Sequence, residues 1–220
     1  MSKIVSVEEA VALIPEDAVL MIGGFMGVGT PSRLMDEIVR QRKCGLTVIA
    51  NDTARPGQGI GKLVDARLVR RIVVSHIGTN PETQRQMIAG ELEVDLVPQG
   101  TLAERVRAGG HGLGGILTAV GIGTVVGKDK RTLTVDGDTF LLELPLKADF
   151  ALLNAKRADY RGNLQYALTA RNFNPLMAMA AATVIAEAED VVPTGAITPD
   201  SVDTPHVLVD WLINKEYCNG

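Results

Sequence analysis

The stretch Ala18-Val19-Leu20-Met21-Ile22-Gly23-Gly24-Phe25-Met26-Gly27-Val28-Gly29-Thr30-Pro31 decides the fold. Its unbroken apolar run reads as a strand buried on both faces, as in a parallel sheet. A glycine-rich loop follows, then Thr30 as a helix N-cap and Pro31 as the first helical residue. Leu34, Met35, Ile38 and Val39 recur at helical spacing and should face the sheet. A loop nearly free of side chains, leading into a helix N-terminus, can offer backbone N–H groups to a carboxylate, phosphate or oxyanion. Close strand-to-helix packing accounts for the same glycines equally well, so both readings stay open on spacing alone.

The pattern repeats along the chain. Residues 18–22, 46–51, 71–77, 94–99, 150–155 and 183–189 are strand-like, with helical segments between them. Thr30-Pro31, Asn80-Pro81 and Asn174-Pro175 each pair an N-cap type with proline, and Thr101-Leu102-Ala103-Glu104 fits a capping box with Gly109 as the stop. The fold class is therefore α/β: an open, mainly parallel sheet with helices on both faces. Thr132 to Glu143 alternates about Asp136-Gly137 and predicts a β-hairpin insertion at about 130–145. A turn at 159–163 separates further antiparallel pieces. No linker or low-complexity segment divides the chain, which reads as a single domain over 1–220.

Composition narrows the function classes. With 220 residues, 46% hydrophobic and 22% charged, the chain can bury one large core. A net charge of −4 and no basic stripe interleaved with aromatics speak against nucleic acid as a partner. Cys44 and Cys218 lack metal-type spacing and point to a reducing, cytoplasmic compartment without a structural disulfide. The charged start and the lack of a long apolar run argue against a signal peptide or a membrane span.

Few motifs carry chemistry by spacing. Gly110-His111-Gly112-Leu113-Gly114-Gly115 matches G-x-G-x-x-G but follows a helix where the dinucleotide fingerprint needs a strand. Gly57-Gln58-Gly59-Ile60-Gly61 lacks the Lys-Ser or Lys-Thr ending of a P-loop. His76, His111 and His206 are scattered, so no metal site is expected. Ser75 beside His76 is adjacency in sequence, which does not orient a hydroxyl toward an imidazole. Asn51 and Gln99 end apolar strands, at the sheet edge where ligands bind in doubly wound folds. Neutral amides there can hold a carbonyl or carboxylate in a mostly apolar pocket, or simply cap their own strand ends. Asp52-Thr53 and Glu82-Thr83 read as helix-start or loop chemistry, and Glu104 as a capping residue. Arg171-Asn172-Phe173-Asn174 reads as a surface turn or as an anion or partner contact.

Five blocks in order give a stronger signal: GGFMGVGTP after a buried strand, Ile49 to Ala54, Ser75 to Thr83, Pro98 to Arg105, and Ala170 to Asn174. Together they closely resemble the α subunit of the family I 3-oxoacid CoA-transferases, over about Val7 to Ile213. The NDTA and SHIGTNPET blocks look most like the acetate or butyrate–acetoacetate branch. Asn commonly stands in place of Asp52 in the succinyl-CoA and 3-oxoadipate branches, which are the alternative, along with a non-catalytic small-anion or nucleotide-binding module. The resemblance implies an enzyme with no cofactor beyond its CoA substrates, moving CoA between a short acyl-CoA and a free carboxylate by a ping-pong route. It implies a β subunit, in an α2β2 assembly, that supplies the glutamate nucleophile, and so no catalytic nucleophile in this chain. Consistently, none of Glu82, Glu91, Glu104 or Glu143 has a context that makes it a nucleophile. By the same resemblance Gln99 supports catalysis at the acyl or thioester carbonyl, while Gly24, Phe25, Met26, Gly27 and Asn51 line the acyl pocket. Two departures from the family pattern, Asp17-Ala18 and Thr118-Ala119-Val120-Gly121, bear on a turn and on a loop close to that pocket.

Overall fold

The computed structural model describes residues 3–214. The chain runs β1 (Ile4–Val5), α1 (Val7–Ala12), β2 (Val19–Ile22), α2 (Ser32–Gln41), β3 (Leu46–Ile49), α3 (Gly61–Asp65), β4 (Val69–Val74), α4 (Pro81–Ile88), β5 (Glu93–Leu96) and α5 (Gln99–Gly110). It continues through β6 (Ile116–Thr118), β7 (Thr132–Val135), β8 (Asp138–Glu143), β9 (Ala148–Asp159), β10 (Leu164–Gln165), α6 (Asn174–Ala180), β11 (Ala181–Val192) and β12 (Trp211–Ile213).

The main sheet has the order β1-β12-β11-β9-β2-β3-β4-β5, all parallel, with β10 antiparallel beside β9. From β2 the chain steps outward through β3, β4 and β5, then crosses back to β9 on the other side. The switch point therefore lies between β2 and β9, where open α/β sheets form a crevice beyond the strands' carboxyl ends. Alternation along the strands builds two cores. Leu20, Ile22, Val48 and Ile72 pack with Val11, Leu34, Ile38 and Leu63 from α1, α2 and α3. Met21, Ile49, Val73 and Ala151 face the other way, onto Leu102 and Val106 of α5 and Met177 of α6. The expected hairpin forms around Asp136-Gly137, and β6 joins it to make a separate three-stranded sheet in the order β6-β8-β7.

Helix starts were only partly legible. Asn80 caps α4 as expected, accepting from the amides of Glu82 and Thr83 at 3.1 and 3.2 Å, with Pro81 in the first turn. Thr30 does not cap α2, which begins at Ser32. The remote Glu187 on β11 accepts from the Arg33 and Leu34 amides instead, at 3.0 and 3.1 Å. The positive end of this helix is thus occupied by the protein's own carboxylate. Burial pushes the Glu187 carboxyl up, against the opposing pull of Arg33 and the two amides. Asn174 lies inside α6 because its side chain is drawn to the Asn154 amide and to the carbonyls of Gly29 and Ala170. The capping box at Thr101–Glu104 is absent because α5 begins three residues earlier, with Pro98 at its N-cap position, and Glu104 pairs with Arg107 at 2.7 Å. A complete capping box sits at Ser6 and Glu9 instead.

Asn80 has a second duty: it is fully buried, and its Nδ2 donates to the Thr53 carbonyl at 3.0 Å. Asn80→Ala removes the cap and leaves that carbonyl unpaired, so about 2 kcal/mol of stability should be lost. Urea unfolding of the purified protein measures this; a loss below about 0.5 kcal/mol would show that the cap is replaceable.

Candidate active site

The carboxyl ends of β2, β3 and β4 bring the loops after them, and the start of α5, to one mouth. A cavity of about 370 Å³ there is lined by Phe25, Met26, Asn51, Asp52, Ser75, His76 and Gln99. Gln99 is the first residue of α5, not the last of a strand, which aims its side chain from a helix N-terminus across the ends of β3 and β4.

The side chains form a directed hydrogen-bond chain. Gln99 Nε2 donates to Asn51 Oδ1 at 2.6 Å, and Asn51 Nδ2 donates to Asp52 Oδ2 at 2.7 Å. Asp52 accepts twice more, from the Met26 amide at 2.9 Å and the Ala54 amide at 2.6 Å. Ser75 Oγ donates to the Asn51 carbonyl at 2.8 Å, so no Ser75–His76 pair forms. Asn51 and Asp52 are buried, 2% and 4% exposed, and Asp52 has no ion-pair partner among the described residues. A buried carboxylate needs such saturation by donors, because desolvation without it costs several kcal/mol.

The glycine loop does not act as a bare amide cradle. Gly24 N donates to Asn172 Oδ1 at 3.1 Å, Phe25 and Val28 exchange backbone bonds at 2.9 Å, and Met26 N is held by Asp52. Gly24 takes φ +129°, a conformation that side chains rarely adopt, and a Cβ there would strike the Thr30 hydroxyl. The steric reading therefore accounts for Gly24, which shapes the loop from behind. Phe25, half exposed, and Met26 face the cavity. Gly27 opens instead onto an adjacent cleft with Val28, Ser32, Gly57, Gln58, Gly59 and Lys62. The Arg171–Asn174 turn clamps the loop: Asn172 Nδ2 donates to the Val28 carbonyl at 3.2 Å and Asn174 Nδ2 to the Gly29 carbonyl at 3.1 Å. Arg171 pairs with Asp203 at 2.7 Å.

Sequence reasoning passed over Asp52, Ser75 and His76 as site residues. Their position was a usable signal: each follows an apolar strand at the same carboxyl edge as Asn51. The carboxylates weighed as nucleophiles are all paired away from the cavity. Glu82 is held down at about 2 by hydrogen bonds from Arg85 and Gln86, and Glu91 shares the same arginine at 3.0 Å. Glu104 meets Arg107, while Glu143 is buried against Lys130 and Arg105. The Gly110–Gly115 run follows α5 and precedes the short β6, without the strand-first geometry of a dinucleotide site. Among the described residues no group of three His, Cys, Asp or Glu could hold a metal ion, and no helix is long and apolar enough to cross a membrane. Cys44 is exposed, and Cys218 lies outside the described residues.

Known proteins match this chain along its length. It is 51% identical over 212 residues to an acetate CoA-transferase subunit alpha of Escherichia coli K12, covering 96% of both chains. It is 45% identical to an acetoacetyl-CoA:acetate/butyrate CoA transferase alpha subunit of Clostridium acetobutylicum, over 97% of this chain and 98% of that one. Among solved structures, an acyl-CoA transferase from E. coli O157:H7, as a thioester complex with CoA, superposes with a TM-score of 0.84 at 22% identity. That match covers 96% of this chain and 47% of the solved one, and it shows the shared fold. The family model for coenzyme A transferase matches residues 4–215. With its relatives aligned end to end and its blocks brought together at one sheet edge, the chain belongs to the coenzyme A transferase family.

Proposed function

We propose that this chain is the α subunit of a two-subunit CoA-transferase of the acetate/acetoacetate type, which exchanges CoA between a short acyl-CoA or 3-oxoacyl-CoA and a free carboxylate. The observation that carries the reading is the chemistry of the cavity. It offers a side-chain amide donor, yet the one carboxylate among its described lining residues, Asp52, already accepts three hydrogen bonds. Such a site can polarise a carbonyl but has no acid free to attack one. The nucleophile then comes from a β subunit, as a glutamate forming first an acyl anhydride and then a glutamyl-CoA thioester. The end-to-end match to relatives named alpha subunits supports a second subunit.

In this reading Gln99 donates to the acyl or thioester carbonyl, whose oxygen gains negative charge in each tetrahedral intermediate. Phe25 and Met26 form the apolar wall beside the acyl group. Gly24, Gly27 and Asn51 hold that wall and Gln99 in place. CoA and its thioesters are substrates, no further cofactor is needed, and an α2β2 assembly completes two sites.

The test is to purify the chain alone and with its copurifying partner, and to assay CoA transfer from acetoacetyl-CoA to acetate, with succinyl-CoA as a second donor. Activity only in the assembled form supports the proposal, and light scattering gives the stoichiometry. Full activity from the isolated chain would sink the two-subunit reading. Preference for succinyl-CoA would move the enzyme to the succinyl branch.

A further inference from the structure

The geometry points to Asp52 as a positioning residue that sets the hydrogen-bond polarity of the active site by acting through Asn51 on Gln99. It rests on the reading of Gln99 as the donor to the acyl carbonyl.

A terminal amide has two faces of similar shape and opposite chemistry: an oxygen that accepts and a nitrogen that donates. Gln99 is useful to a developing oxyanion only through its nitrogen, so something must decide which way the amide turns. The hydrogen bonds supply a single answer. An ionised carboxylate can only accept, so the Asn51 atom at 2.7 Å from Asp52 Oδ2 must be the nitrogen. Asn51 Oδ1 is then turned toward Gln99 and Ser75, at 2.6 and 3.3 Å. An acceptor at 2.6 Å requires Gln99 to turn Nε2 toward it. The second N–H on that nitrogen is left for a ligand in the cavity that Gln99 lines. Asp52 is itself held by the Met26 and Ala54 amides, which fix both of its oxygens. One buried carboxylate thereby ties the orientation of the donor to the placement of the glycine loop that carries Phe25 and Met26.

An asparagine at 52 would break this logic without changing size. Its single oxygen can serve the Ala54 amide, or the Met26 amide with Asn51, but not both sides. Asn51 and Gln99 would then share two orientations. Exchanging the pair restores the polarity: in Asn51→Asp with Asp52→Asn, the acid at 51 accepts from Gln99 on one oxygen and from the amide at 52 on the other. The Met26 amide stays unpaired in that double variant, so it separates donor orientation from loop anchoring.

In the assembled enzyme Asp52→Asn should lower kcat about tenfold, with KM for the acyl-CoA within about twofold, the scale of one charge-assisted hydrogen bond. The exchanged pair should recover kcat to within about threefold of the parent. An unchanged kcat in Asp52→Asn, or an exchanged pair as impaired as the single variant, would overturn the inference; the latter would assign Asp52 to loop anchoring alone. A second readout needs neither turnover nor a variant that folds. In the assembled complex labelled with 15N-glutamine, the relay slows solvent exchange of one Gln99 Nε2 proton and moves it downfield of its position in free glutamine. Two protons that exchange and resonate as in free glutamine would refute it. A protected, shifted proton in a complex that transfers no CoA would leave the relay standing and remove the functional reading instead.

Discussion

Gln99→Ala in the assembled enzyme should lower kcat by about 10²- to 10³-fold, because one donor aimed at a developing oxyanion contributes roughly 2.7–4 kcal/mol. The expected size follows from where the side chain sits. Gln99 reaches the cavity from the first turn of α5 and is braced by a 2.6 Å bond to Asn51, so its donor is already oriented before the reaction begins. Preorganisation is what makes such a donor worth more than a water molecule. The interaction strengthens as charge builds on the carbonyl, so kcat and kcat/KM should fall together, with little change in KM. Assembly should be unaffected, since Gln99 is exposed and belongs to neither core cluster. Steady-state kinetics with acetoacetyl-CoA and acetate, alongside size-exclusion chromatography, checks both points. An unchanged kcat in a correctly assembled variant would take Gln99 out of the mechanism.

The largest effect on stability is expected from Gly109→Ala. Helix propensity alone favours alanine inside α5 by about 1 kcal/mol. Tertiary packing reverses the sign. The segment after β8 crosses the back of α5, with the Leu146 amide donating to the Arg105 carbonyl at 2.9 Å and Arg105 Nε donating to the Leu144 carbonyl at 2.8 Å. A Cβ on Gly109 would fall on the Leu146 carbonyl oxygen, well inside van der Waals contact. A backbone carbonyl cannot rotate aside as a side-chain tip can, so α5 and this segment must separate. Overpacking of this kind costs typically about 1–3 kcal/mol and sometimes more. The expected net loss is about 2 kcal/mol or more, a fall in Tm of about 4–8 °C for a chain of this size. Gly100→Ala on the same helix is the control, since a Cβ there meets open space. It should be neutral or slightly stabilising. Equal behaviour of the two variants in thermal unfolding would remove the close approach as the cause.

The two substitutions show which features were legible in advance. The β strands were readable because residues buried on both faces must be apolar throughout, and Val19–Ile22 and Leu46–Ile49 leave little choice of state. The hairpin was readable because Asp136-Gly137 is local turn chemistry. Helix starts were less so. Asn80 caps its own helix, a contact made within three residues. The amides at the start of α2 are met by Glu187, a partner more than 150 residues away. Local rules supply candidates such as Asn174; long-range contacts then draw such a side chain elsewhere.

The same division runs through the site. By itself, the sequence determined an α/β sheet and a chain of coenzyme A transferase type, because apolar periodicity and ordered motif blocks survive without coordinates. It also marked Asn51 and Gln99, since polar residues that close apolar runs stand out locally. Only the tertiary structure decided what these residues do to one another. Crossing from β5 through α5 brings Gln99 over the end of β3, and Asp52, read as loop chemistry, becomes the acceptor that orients two amides. The glycine loop was likewise recognised by composition, but its Gly24, Phe25, Met26 and Val28 amides are spent on Asn172, Asp52 and the loop itself. Hydrogen-bond direction depends on which atoms lie within about 3 Å of each other, and a linear sequence does not contain that information for residues on different strands.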